Sequence, residues 1–501
     1  RDVASFVGPD GSASTYSKWG ELDAEFYFGL NEVEQNAFRD SLIKWSSVAN
    51  ITFSEINETS SNVGVIRVAF SSADGLQDFW GWAYTPDNYY STGGDIWINA
   101  DYAYDDKNWG AGSSNYESLL HESGHTLGLT HSFEGENKLP TVYESTKYTL
   151  MSYTDRKDNT YVELVNNRWQ LYDVYNSTPM IFDILAVQEL YGANNNFNAG
   201  DDVYSFDSKT PFYKTIWDGG GNDTISAASF DTDITINLLP GSFSSLLYDL
   251  PVGYKGRSVS YDGTDNLSIA YDCLIENATG GRGSDYLLGN DIDNRLQGGD
   301  GNDILVGGLG NDTFDWDQGT RQGDDIFYGG LGDDVYVIDS KNDDVIEKLN
   351  EGNDVLWVEG SYNLRDDQHI ETINGYGSNG VSITGNNLNN FIGLSSGNDI
   401  INGNGGIDTC SIDEISTGYS IFFSSSILHI TTLTSGTNKL NSIERLKFYD
   451  LSLALDIEGA NSAGGIYRTY KAAFNRTPEK TGFGYWIDRA DNGASAVQMA
   501  E

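Results

Sequence analysis

The stretch LLHESGHTLGLTHS, residues 119–132, holds three of the chain's five histidines at fixed spacing. On a helix, His121 and His125 lie on one face, where two imidazoles can reach a single metal ion. Gly128 can take the left-handed conformation that ends a helix, and the turn then brings His131 back as a third ligand. Three histidines with one open coordination position are typical of a catalytic zinc site, because structural zinc sites fill all four positions with protein.

Two neighbouring features fit the same kind of site. Glu122 lies beside the histidines, where a carboxylate can take a proton from water held at the metal. TLMSY, residues 149–153, predicts a tight turn with Met151 beneath the ligands and Tyr153 two residues later. The alternative interpretation is structural: solvated histidines on an ordinary helix, a core methionine and a packed tyrosine.

From about residue 218 the composition shifts to Gly, Asn and Asp. GGRGSDYLL, residues 280–288, is followed directly by GNDIDNRLQ, GGDGNDILV and GGLGNDTFD, and the nine-residue pattern resumes at 329–337 and 385–411. A repeat of this period and composition is the signature of a calcium-binding parallel β-roll. A flexible Gly/Asn-rich linker is the alternative, but a linker has no reason to keep Asp in phase with an apolar residue two positions later.

The candidate calcium ligands are the glycines and the sixth-position Asp or Asn residues of these units, with a Gly-Asp stretch upstream. Glycine allows the tight turn and lets backbone carbonyls approach the ion, and the carboxylate adds a hard oxygen ligand. The predicted set is Asp218, Gly220, Asp223, Gly281, Gly283, Asp285, Asn294, Gly299, Gly301, Asp303, Gly308, Gly310, Asp312, Gly330, Gly332, Asp334, Asp399 and Asp408.

The composition limits the partners. The chain has 501 residues, and Lys+Arg 29 against Asp+Glu 74 gives a net charge of −45, which argues against nucleic acid or anionic membrane. No apolar run approaches the roughly 18 residues of a membrane span. The sequence starts at Arg1 rather than Met and shows no signal-peptide pattern, so a processed or trimmed product is expected. Cys273 and Cys410 are too few for a disulfide framework and are predicted to be unpaired, buried thiols.

The pattern HExxHxxGxxH with a following Met-turn is that of the metzincins. The run MSY, the repeats and passages such as IFDILAVQELYGAN, IWDGGGNDTI, INLLPGSFSSL and LIENATGGRGSDYLLGN resemble the serralysins, which are secreted bacterial zinc endopeptidases. The resemblance covers roughly residues 20–340. It implies an α+β metzincin catalytic domain, then an all-β parallel β-roll of calcium-binding nonapeptide repeats, and here a small helical C-terminal segment.

On this basis we expect four segments. Residues 1–200 form the zinc metalloprotease catalytic domain, and residues 201–360 a linker and the calcium-binding β-roll with β-sandwich strands. Residues 361–460 form the second repeat block with a β-rich segment, and residues 461–501 a partial helical domain. This last segment resembles a small domain of unknown function appended to bacterial repeat exoproteins. Two roles stay open for it: a helical cap on the open end of the roll, or binding to a partner.

The resemblance also assigns roles in the site. Tyr153 is expected to be a further zinc ligand that swings away when substrate binds and donates a hydrogen bond to the oxyanion. Substrate is expected to bind along an antiparallel edge strand, placed in GGDIWINAD at residues 93–101. The residues assigned to this edge strand are Gly94, Asp95, Ile96 and Trp97.

Within the first segment, hydrophobic periodicity predicts a helix over residues 32–49, with Asn31 and Glu34 as its capping box. A second helix is predicted over 179–191, with Pro179 at its first position. Strands are predicted in EFYFGL (25–30), ITFSEI (51–56), VGVIRVAFS (63–71) and DIWINA (95–100).

Two departures from the serralysin pattern stand out. Serralysins usually follow the third histidine with Pro-Gly, whereas Ser132-Phe133 follows His131 here, which is closer to the matrixins and bears on the primed-side pocket. The second block of repeats and the helical tail also extend beyond the usual serralysin end.

The sequence therefore predicts a secreted, extracellular, monomeric zinc endopeptidase, stabilised by several calcium ions and acting on proteins or peptides with Glu122 as general base. Export by type I secretion machinery is implied by the resemblance. Two alternatives stay open: a calcium-dependent adhesive or structural exoprotein with an inactive metzincin fold, and a zinc hydrolase with a non-protein substrate.

Overall fold

A computed structural model describes most of the chain, which divides into two compact units, Arg1–Leu288 and Gly289–Glu501. The described residues are 5–7, 13–15, 21, 27–57, 64–87, 92–103, 108–136, 138–256, 258–315, 323–424, 427–431, 436–459, 462–495 and 498. None of the described helices has the length and apolar character needed to span a bilayer.

The described residues of the first unit form three α-helices and sixteen strands. The helices are α1 (Glu32–Val48), α2 (Ser114–Thr126) and α3 (Ile181–Tyr191). The first eight strands are β1 (Ser5–Val7), β2 (Ala13–Thr15), β3 (Tyr27–Phe28), β4 (Arg67–Ser71), β5 (Gly81–Ala83), β6 (Asp95–Asn99), β7 (Thr160–Val165) and β8 (Arg168–Asp173). The other eight are β9 (Val203–Ser205), β10 (Lys214–Ile216), β11 (Thr224–Ser226), β12 (Ile234–Asn237), β13 (Phe243–Leu246), β14 (Leu267–Ile269), β15 (Asn277–Thr279) and β16 (Tyr286–Leu288).

The two predicted helices of the first segment are confirmed. The α1 capping box is present: Glu34 N donates to the Asn31 side chain at 3.1 Å, and Asn31 N donates to Glu34 Oε2 at 2.7 Å. Helix α3 begins two residues after Pro179, with Met180 as its N-cap. The strand predicted at 51–56 is absent from the described residues, where that segment runs in an irregular conformation. Residues 25 and 26 of another predicted strand lie outside the described part.

Helix α2, which carries the HESGH motif, packs against α1. Trp45 of α1 is fully buried, and its indole nitrogen donates to the carbonyl oxygen of Leu120 at 3.2 Å. The hydroxyls of Ser41 and Ser123 lie 3.3 Å apart between the same helices. This packing fixes the metal-motif helix to the core, with its N-terminus capped by Ser113.

A four-stranded sheet lies beside these helices, in the order β3-β4-β6-β5. β4 and β6 are parallel, with Val68 opposite Ile96, and β5 is antiparallel to β6, with Ala83 opposite Ile96. Downstream in the first unit, short parallel pairs begin, including β9 with β11, β11 with β15, and β12 with β16.

The second unit consists of short strands followed by two helices. Its strands are β17 (Arg295–Gln297), β18 (Ile304–Leu309), β19 (Thr313–Phe314), β20 (Ile326–Leu331), β21 (Val335–Ile338), β22 (Asp344–Ile346), β23 (Val355–Val358), β24 (Ser361–Asn363), β25 (Thr372–Gly375), β26 (Ser382–Thr384), β27 (Phe391–Gly393), β28 (Ile400–Asn402), β29 (Thr409–Ser411), β30 (Ser420–Ser424), β31 (Ile427–Thr431), β32 (Thr437–Asn441), β33 (Arg445–Lys447) and β34 (Ser452–Ala454). The helices are α4 (Ala463–Phe474) and α5 (Lys480–Asp491).

From β17 to β29, successive strands alternate between two faces and pair in parallel within each face. Towards the end of the unit, β30 with β31, β31 with β32 and β33 with β34 pair antiparallel. One face has the order β33-β29-β27-β25-β23-β21-β19-β17. The second residue of each strand on this face points inward, and the strand register stacks these residues into one fully buried column. The column contains Leu296, Phe314, Tyr336, Leu356, Ile373, Ile392, Cys410 and Leu446. Each strand buries little alone, so the core exists only when the turns stack. The parallel β-roll predicted from the repeats is confirmed.

The column also accounts for the cysteines. Cys410 lies in the buried column of the roll, and Cys273 is buried in the first unit. Neither cysteine forms a disulfide bond. The prediction of two unpaired, buried thiols is confirmed.

The tail is helical, as predicted, and is tied to the last strands of the second unit. The Arg445 guanidinium on β33 forms ion pairs with Asp456 at 2.5 Å and with Asp491 of α5 at 2.6 Å. Ile466 of α4 and Ala490 of α5 are buried. The Arg445–Asp491 ion pair thus joins α5 to β33.

Candidate metal centre

The three histidines of the opening motif converge. His125 Nε2 lies 3.1 Å from His121 Nε2 and 3.1 Å from His131 Nε2. Gly128 has φ +97, the left-handed turn that returns His131 to the end of α2. Nitrogens bound about 2.0–2.1 Å from a tetrahedral zinc lie roughly 3.3 Å apart, so this spacing is compatible with one zinc ion.

The opposite ring nitrogens explain why the Nε2 atoms face inward. His121 Nδ1 donates to the carbonyl oxygen of Leu150 at 2.7 Å, and His125 Nδ1 donates to that of Leu129 at 2.8 Å. His131 Nδ1 lies 3.2 Å from the Glu134 carboxylate. Such partners fix the tautomer and leave Nε2 as the metal-facing lone pair. Burial, together with the charge of His125, lowers the pKa of His121 to about 3, so its ring is neutral and able to bind a metal.

Glu122 lies in the same helix turn and is buried. Its Oε2 atom has no hydrogen-bond partner among the described residues. Burial raises the pKa of this carboxyl to about 8. An isolated buried carboxylate is costly, so its presence needs a chemical reason, and a proton acceptor beside a metal provides one.

The turn that carries Met151 lies under the histidines. Met151 is 3% exposed, and a Cβ built on Gly124 would lie 3.1 Å from the Met151 sulfur and 3.1 Å from the Trp45 ring. The glycine in HESGH is therefore the position at which α2 approaches both the turn and α1 closely.

Asp183 of α3 holds this turn in place, and the sequence reading missed it. Its carboxylate accepts from Leu150 N at 2.7 Å, Thr149 Oγ1 at 2.6 Å and Met180 N at 2.9 Å. Leu150 in turn accepts from His121, so one buried carboxylate supports the orientation of a candidate ligand. The available signal was an Asp in the first turn of a predicted helix.

Asp183→Ala is expected to lower the free energy of unfolding by about 3 kcal/mol, because it leaves buried backbone donors at 150 and 180 unsatisfied. Urea unfolding followed by tryptophan fluorescence measures the change. Asp183→Asn keeps one acceptor oxygen and is expected to lose less. A loss below 1 kcal/mol for alanine would contradict this role.

Tyr153 lies over the histidines. Its hydroxyl is 2.8 Å from His131 Nε2 although the side chain is 61% exposed. Phe133 stacks on the His131 ring at 5.1 Å with 7° between planes, and lies 5.0 Å from the Tyr153 ring. The aromatic residue found where serralysins usually have glycine therefore forms one wall around Tyr153.

The predicted substrate edge strand is wrong in its position. Gly94 lies in the turn before β6, and Asp95, Ile96 and Trp97 lie in β6 itself, which pairs with β4 on one side and β5 on the other. All three are buried. A strand paired on both sides has no free backbone groups to offer a peptide. Among the described residues the outer strand on this side is β5, which precedes β6 in the chain.

In the repeats, the sixth-position carboxylates form a ladder. In the second unit, Asp312 Oδ1 accepts from Asn294 N and Asp334 Oδ1 from Asp312 N, each at 2.7 Å. Asp408 Oδ1 accepts from Asn390 N at 2.8 Å. The other oxygen, Oδ2, of Asp312, Asp334 and Asp408 is buried without a hydrogen-bond partner among the described residues. One oxygen thus joins adjacent coils of the roll, and the second has no hydrogen-bond partner among the described residues.

The repeat glycines provide the turns that this ladder needs. Positive φ values occur at Gly220, Gly299, Gly301, Gly308, Gly310, Gly330 and Gly332. At Gly329 a Cβ would lie 2.3 Å from Asp334 Oδ2, so a side chain there would occupy the space beside the carboxylate.

A cluster of three carboxylate side chains in the second unit does not follow the nine-residue pattern. Asp334, Glu347 and Asp354 are all buried, and one oxygen of each lies within 4.8 Å of the others. Oδ2 of Asp334 and Asp354 and Oε2 of Glu347 have no hydrogen-bond partner in the described part of the chain. The signal was Gly-Asn-Asp at 352–354, which two additional residues put out of phase.

Other predicted calcium ligands differ in arrangement. In the first unit, Asp218 and Asp223 lie together with Asp202, which the sequence reading missed. Asp285 accepts from Gly281 N and Ile234 N, one on each oxygen. Asp399 likewise uses both oxygens, for Val381 N and Ser395 N. Asn294 and Asp303 each directly precede a strand, as Asp285 does, whereas Gly283 lies in the bend before Asp285.

Comparisons with known proteins agree with these features. A family model described as Matrixin matches residues 26–162, and one described as Peptidase M10 serralysin C terminal matches residues 182–441. The serralysin of Photorhabdus laumondii is 34% identical over 295 residues, covering 54% of this chain and 56% of that protein. The serralysin of Proteus mirabilis is 34% identical over 318 residues, covering 56% and 58% respectively. Metallopeptidase AprA of Pseudomonas marginalis is 33% identical over 308 residues, covering 57% and 59%.

The chain thus spans little more than half the length of these relatives. The serralysin C-terminal match alone extends over more than half of this chain, and the matrixin match includes the histidine motif and the Met-turn. With the converged histidines and the stacked parallel repeats, these matches show that the chain belongs to the serralysin family of metzincins.

Proposed function

We propose that the protein is a secreted zinc metalloendopeptidase that hydrolyses peptide bonds in extracellular proteins and is stabilised by calcium. The observation that carries the proposal is the convergence of three imidazole Nε2 atoms beside the buried Glu122 carboxyl, whose Oε2 atom has no hydrogen-bond partner among the described residues. Family membership supports it, because the similar proteins are named as serralysins and metallopeptidases.

In this proposal His121, His125 and His131 hold the zinc ion, and Tyr153 is a further, displaceable ligand. When bound, zinc supplies a Lewis acid that polarises the scissile carbonyl and acidifies water. Glu122 takes the proton of the attacking water and passes it to the leaving amine nitrogen. The Tyr153 hydroxyl, once released from His131, donates a hydrogen bond to the developing oxyanion. The buried environment of Glu122 raises its proton affinity, which suits a general base.

A casein digest with and without phenanthroline, together with metal analysis, tests the proposal. We expect about one zinc per chain, proteolysis that phenanthroline abolishes and recovery on adding zinc. Zinc without proteolysis would favour a structural or adhesive exoprotein or a non-protein substrate. The presence of Glu122 argues against an inactive fold. Its buried Oε2 atom makes no hydrogen bond to the described residues, so the fold gives no reason for a glutamate at this position.

Tyr153→Phe is expected to lower kcat by about 10²–10³-fold while activity stays measurable, because one oxyanion donor is lost and the three imidazoles remain. Steady-state kinetics on a peptide substrate, with zinc content as control, measures this. Tyr143, which is also exposed and lies in the preceding loop, gives the matched control Tyr143→Phe. Equal kcat values for Tyr153→Phe and the native protein would exclude the donor role.

Substrate placement follows from the sheet. We assign the extended substrate to the outer strand β5, since an outer strand can add an antiparallel peptide by backbone hydrogen bonding. Protein or peptide substrates, a monomeric state and export through type I secretion machinery belong to the same proposal, as do the segment boundaries 1–200, 201–360, 361–460 and 461–501.

Calcium ions are assigned to the carboxylate ladder and to the two acidic groups at Asp202–Asp218–Asp223 and Asp334–Glu347–Asp354. Extracellular calcium modules bind with Kd of about 10⁻⁴–10⁻³ M, so these sites are empty at cytoplasmic calcium levels and filled outside. This difference would keep the repeats loosely folded until export.

A further inference from the structure

The loop before the Met-turn contains a carboxylate that contacts both segments of the candidate site. Glu144 accepts from Thr154 Oγ1 at 2.5 Å on Oε2, and from the Ser152 hydroxyl on Oε1. These two donors are the immediate neighbours of Tyr153 in the chain. One carboxylate therefore fixes the backbone on both sides of the tyrosine.

The same carboxylate reaches the segment after the third histidine. Ser132 Oγ lies 3.4 Å from Glu144 Oε1 and 3.3 Å from the carbonyl oxygen of Met151, so its single proton can serve either acceptor. The Ser132 backbone N–H also donates to the Met151 oxygen at 3.0 Å. Serine at this position, where serralysins usually have proline, supplies both donors.

The geometry points to Glu144 as a positioning residue: its carboxylate fixes the turn that carries Tyr153 against the segment that follows His131. Ser152, Thr154 and Ser132 provide the donors, and the Ser152 hydroxyl also accepts from Thr154 N at 3.0 Å, which tightens the turn. Phe133 limits the other side of the Tyr153 ring.

The consequence concerns the tyrosine hydroxyl. Tyr153 is largely exposed, so burial alone does not fix it, and its hydroxyl nevertheless lies 2.8 Å from His131 Nε2 in this resting arrangement. Small displacements of a group at a reacting centre lower the reaction rate by large factors. The inference rests on the proposed function to the extent that Tyr153 acts at the metal.

The first test does not need activity. Hydrogen exchange of the segment 149–156 is followed by mass spectrometry in Glu144→Ala, Glu144→Gln and the control Glu163→Ala, whose side chain is exposed on β7. Exchange at 152–154 is expected to be at least tenfold faster in Glu144→Ala, near native in Glu144→Gln, which keeps one acceptor oxygen, and native in the control. Native exchange in Glu144→Ala would overturn the inference, whether or not the protein proves to be a peptidase.

The second test separates positioning from general damage by a double-mutant cycle. Glu144→Ala is expected to lower kcat about tenfold with KM and zinc content within twofold of native values. In a Tyr153→Phe background the same change is expected to lower kcat less than twofold. Equal losses in both backgrounds would overturn the inference. Absence of activity in the native protein would refute the proposed function and leave the exchange result to decide on Glu144.

Discussion

Replacing Glu122 with glutamine is expected to lower kcat/KM for a peptide substrate by about 10²–10⁴-fold, the usual contribution of a general base. Glutamine has nearly the same shape and hydrogen-bonding reach, so the packing of α2 is kept. It cannot accept a proton at neutral pH. The loss should therefore appear in kcat, with KM little changed.

The reason for expecting so large an effect is the isolation of the carboxylate. Glu122 is 6% exposed and its Oε2 atom has no partner among the described residues, so it makes no visible contribution to the fold that would account for its burial. Glu122→Gln removes a buried ionisable group, whose charged form burial disfavours, and should leave stability equal or higher. A variant that loses activity and gains stability is the signature of a catalytic group.

Zinc content and thermal unfolding are the controls for Glu122→Gln, with Glu189→Gln on the exposed side of α3 as the matched variant. Both variants should carry one zinc, and only Glu122→Gln should be inactive. Near-native proteolysis by a zinc-loaded Glu122→Gln protein would exclude the proposed mechanism.

The histidine site could be predicted because its residues lie close together in the sequence. The spacing of His121, His125 and Gly128 is set by the geometry of one helix and its end, and the structure has the turn at Gly128 and the converged Nε2 atoms. The repeats were predictable for the same reason, since each turn carries its own glycines and its own inward residue.

Strand order was not predictable in this way. Ile96 lies between Val68 and Ala83, which are far from it in sequence, and nothing in DIWINA distinguishes an outer from an inner strand. The segment 51–56 has strand composition but no strand in the described structure, because propensity does not supply a pairing partner. Non-local pairing decides both cases.

The sequence patterns did not identify Asp183 or the pair Glu347 and Asp354, and the reasons differ. Asp183 acts across more than thirty residues, on Leu150, so its role as a support of the Met-turn depends on how α3 packs. Glu347 and Asp354 form a group with Asp334, but the spacing between them departs from nine, and Glu347 stands where the other turns have glycine. A search for Gly-Asn-Asp without a fixed period would have found Asp354.

Removing calcium is expected to unfold the repeats of the second unit, and this is the largest effect on stability that we predict. Sites with Kd of about 10⁻⁴–10⁻³ M in 10 mM calcium each contribute about 1.4–2.7 kcal/mol. Several such sites together approach the whole stability of a typical domain. Circular dichroism and thermal unfolding during a calcium titration, at constant zinc, measure the effect, with magnesium as the control cation.

The dependence on pH should reverse its sign with calcium. Without calcium, burial raises the pKa of Asp312 to about 8, of Glu347 to about 8 and of Asp354 to about 7. The folded state then binds more protons than the unfolded chain, whose carboxyls titrate near pH 4. Stability is present below about pH 4 and is lost as the pH rises towards 8. With calcium the ionised form is required, so stability should instead fall as the pH is lowered.

Asp334→Asn tests the carboxylate group directly, because its effect should also change sign. Without calcium the change removes one of three crowded carboxylates. Burial, together with the charges of Asp333 and Glu351, raises the pKa of Asp334 to about 6, so its removal should stabilise the fold. With calcium it removes a charged ligand and should shift the titration midpoint about tenfold higher, equivalent to about 1.4 kcal/mol. Asp413→Asn, at an exposed position, should do neither. Destabilisation of equal size with and without calcium would mean that Asp334 is only a structural hydrogen-bond acceptor for Asp312 N, and that no cation binds between these turns.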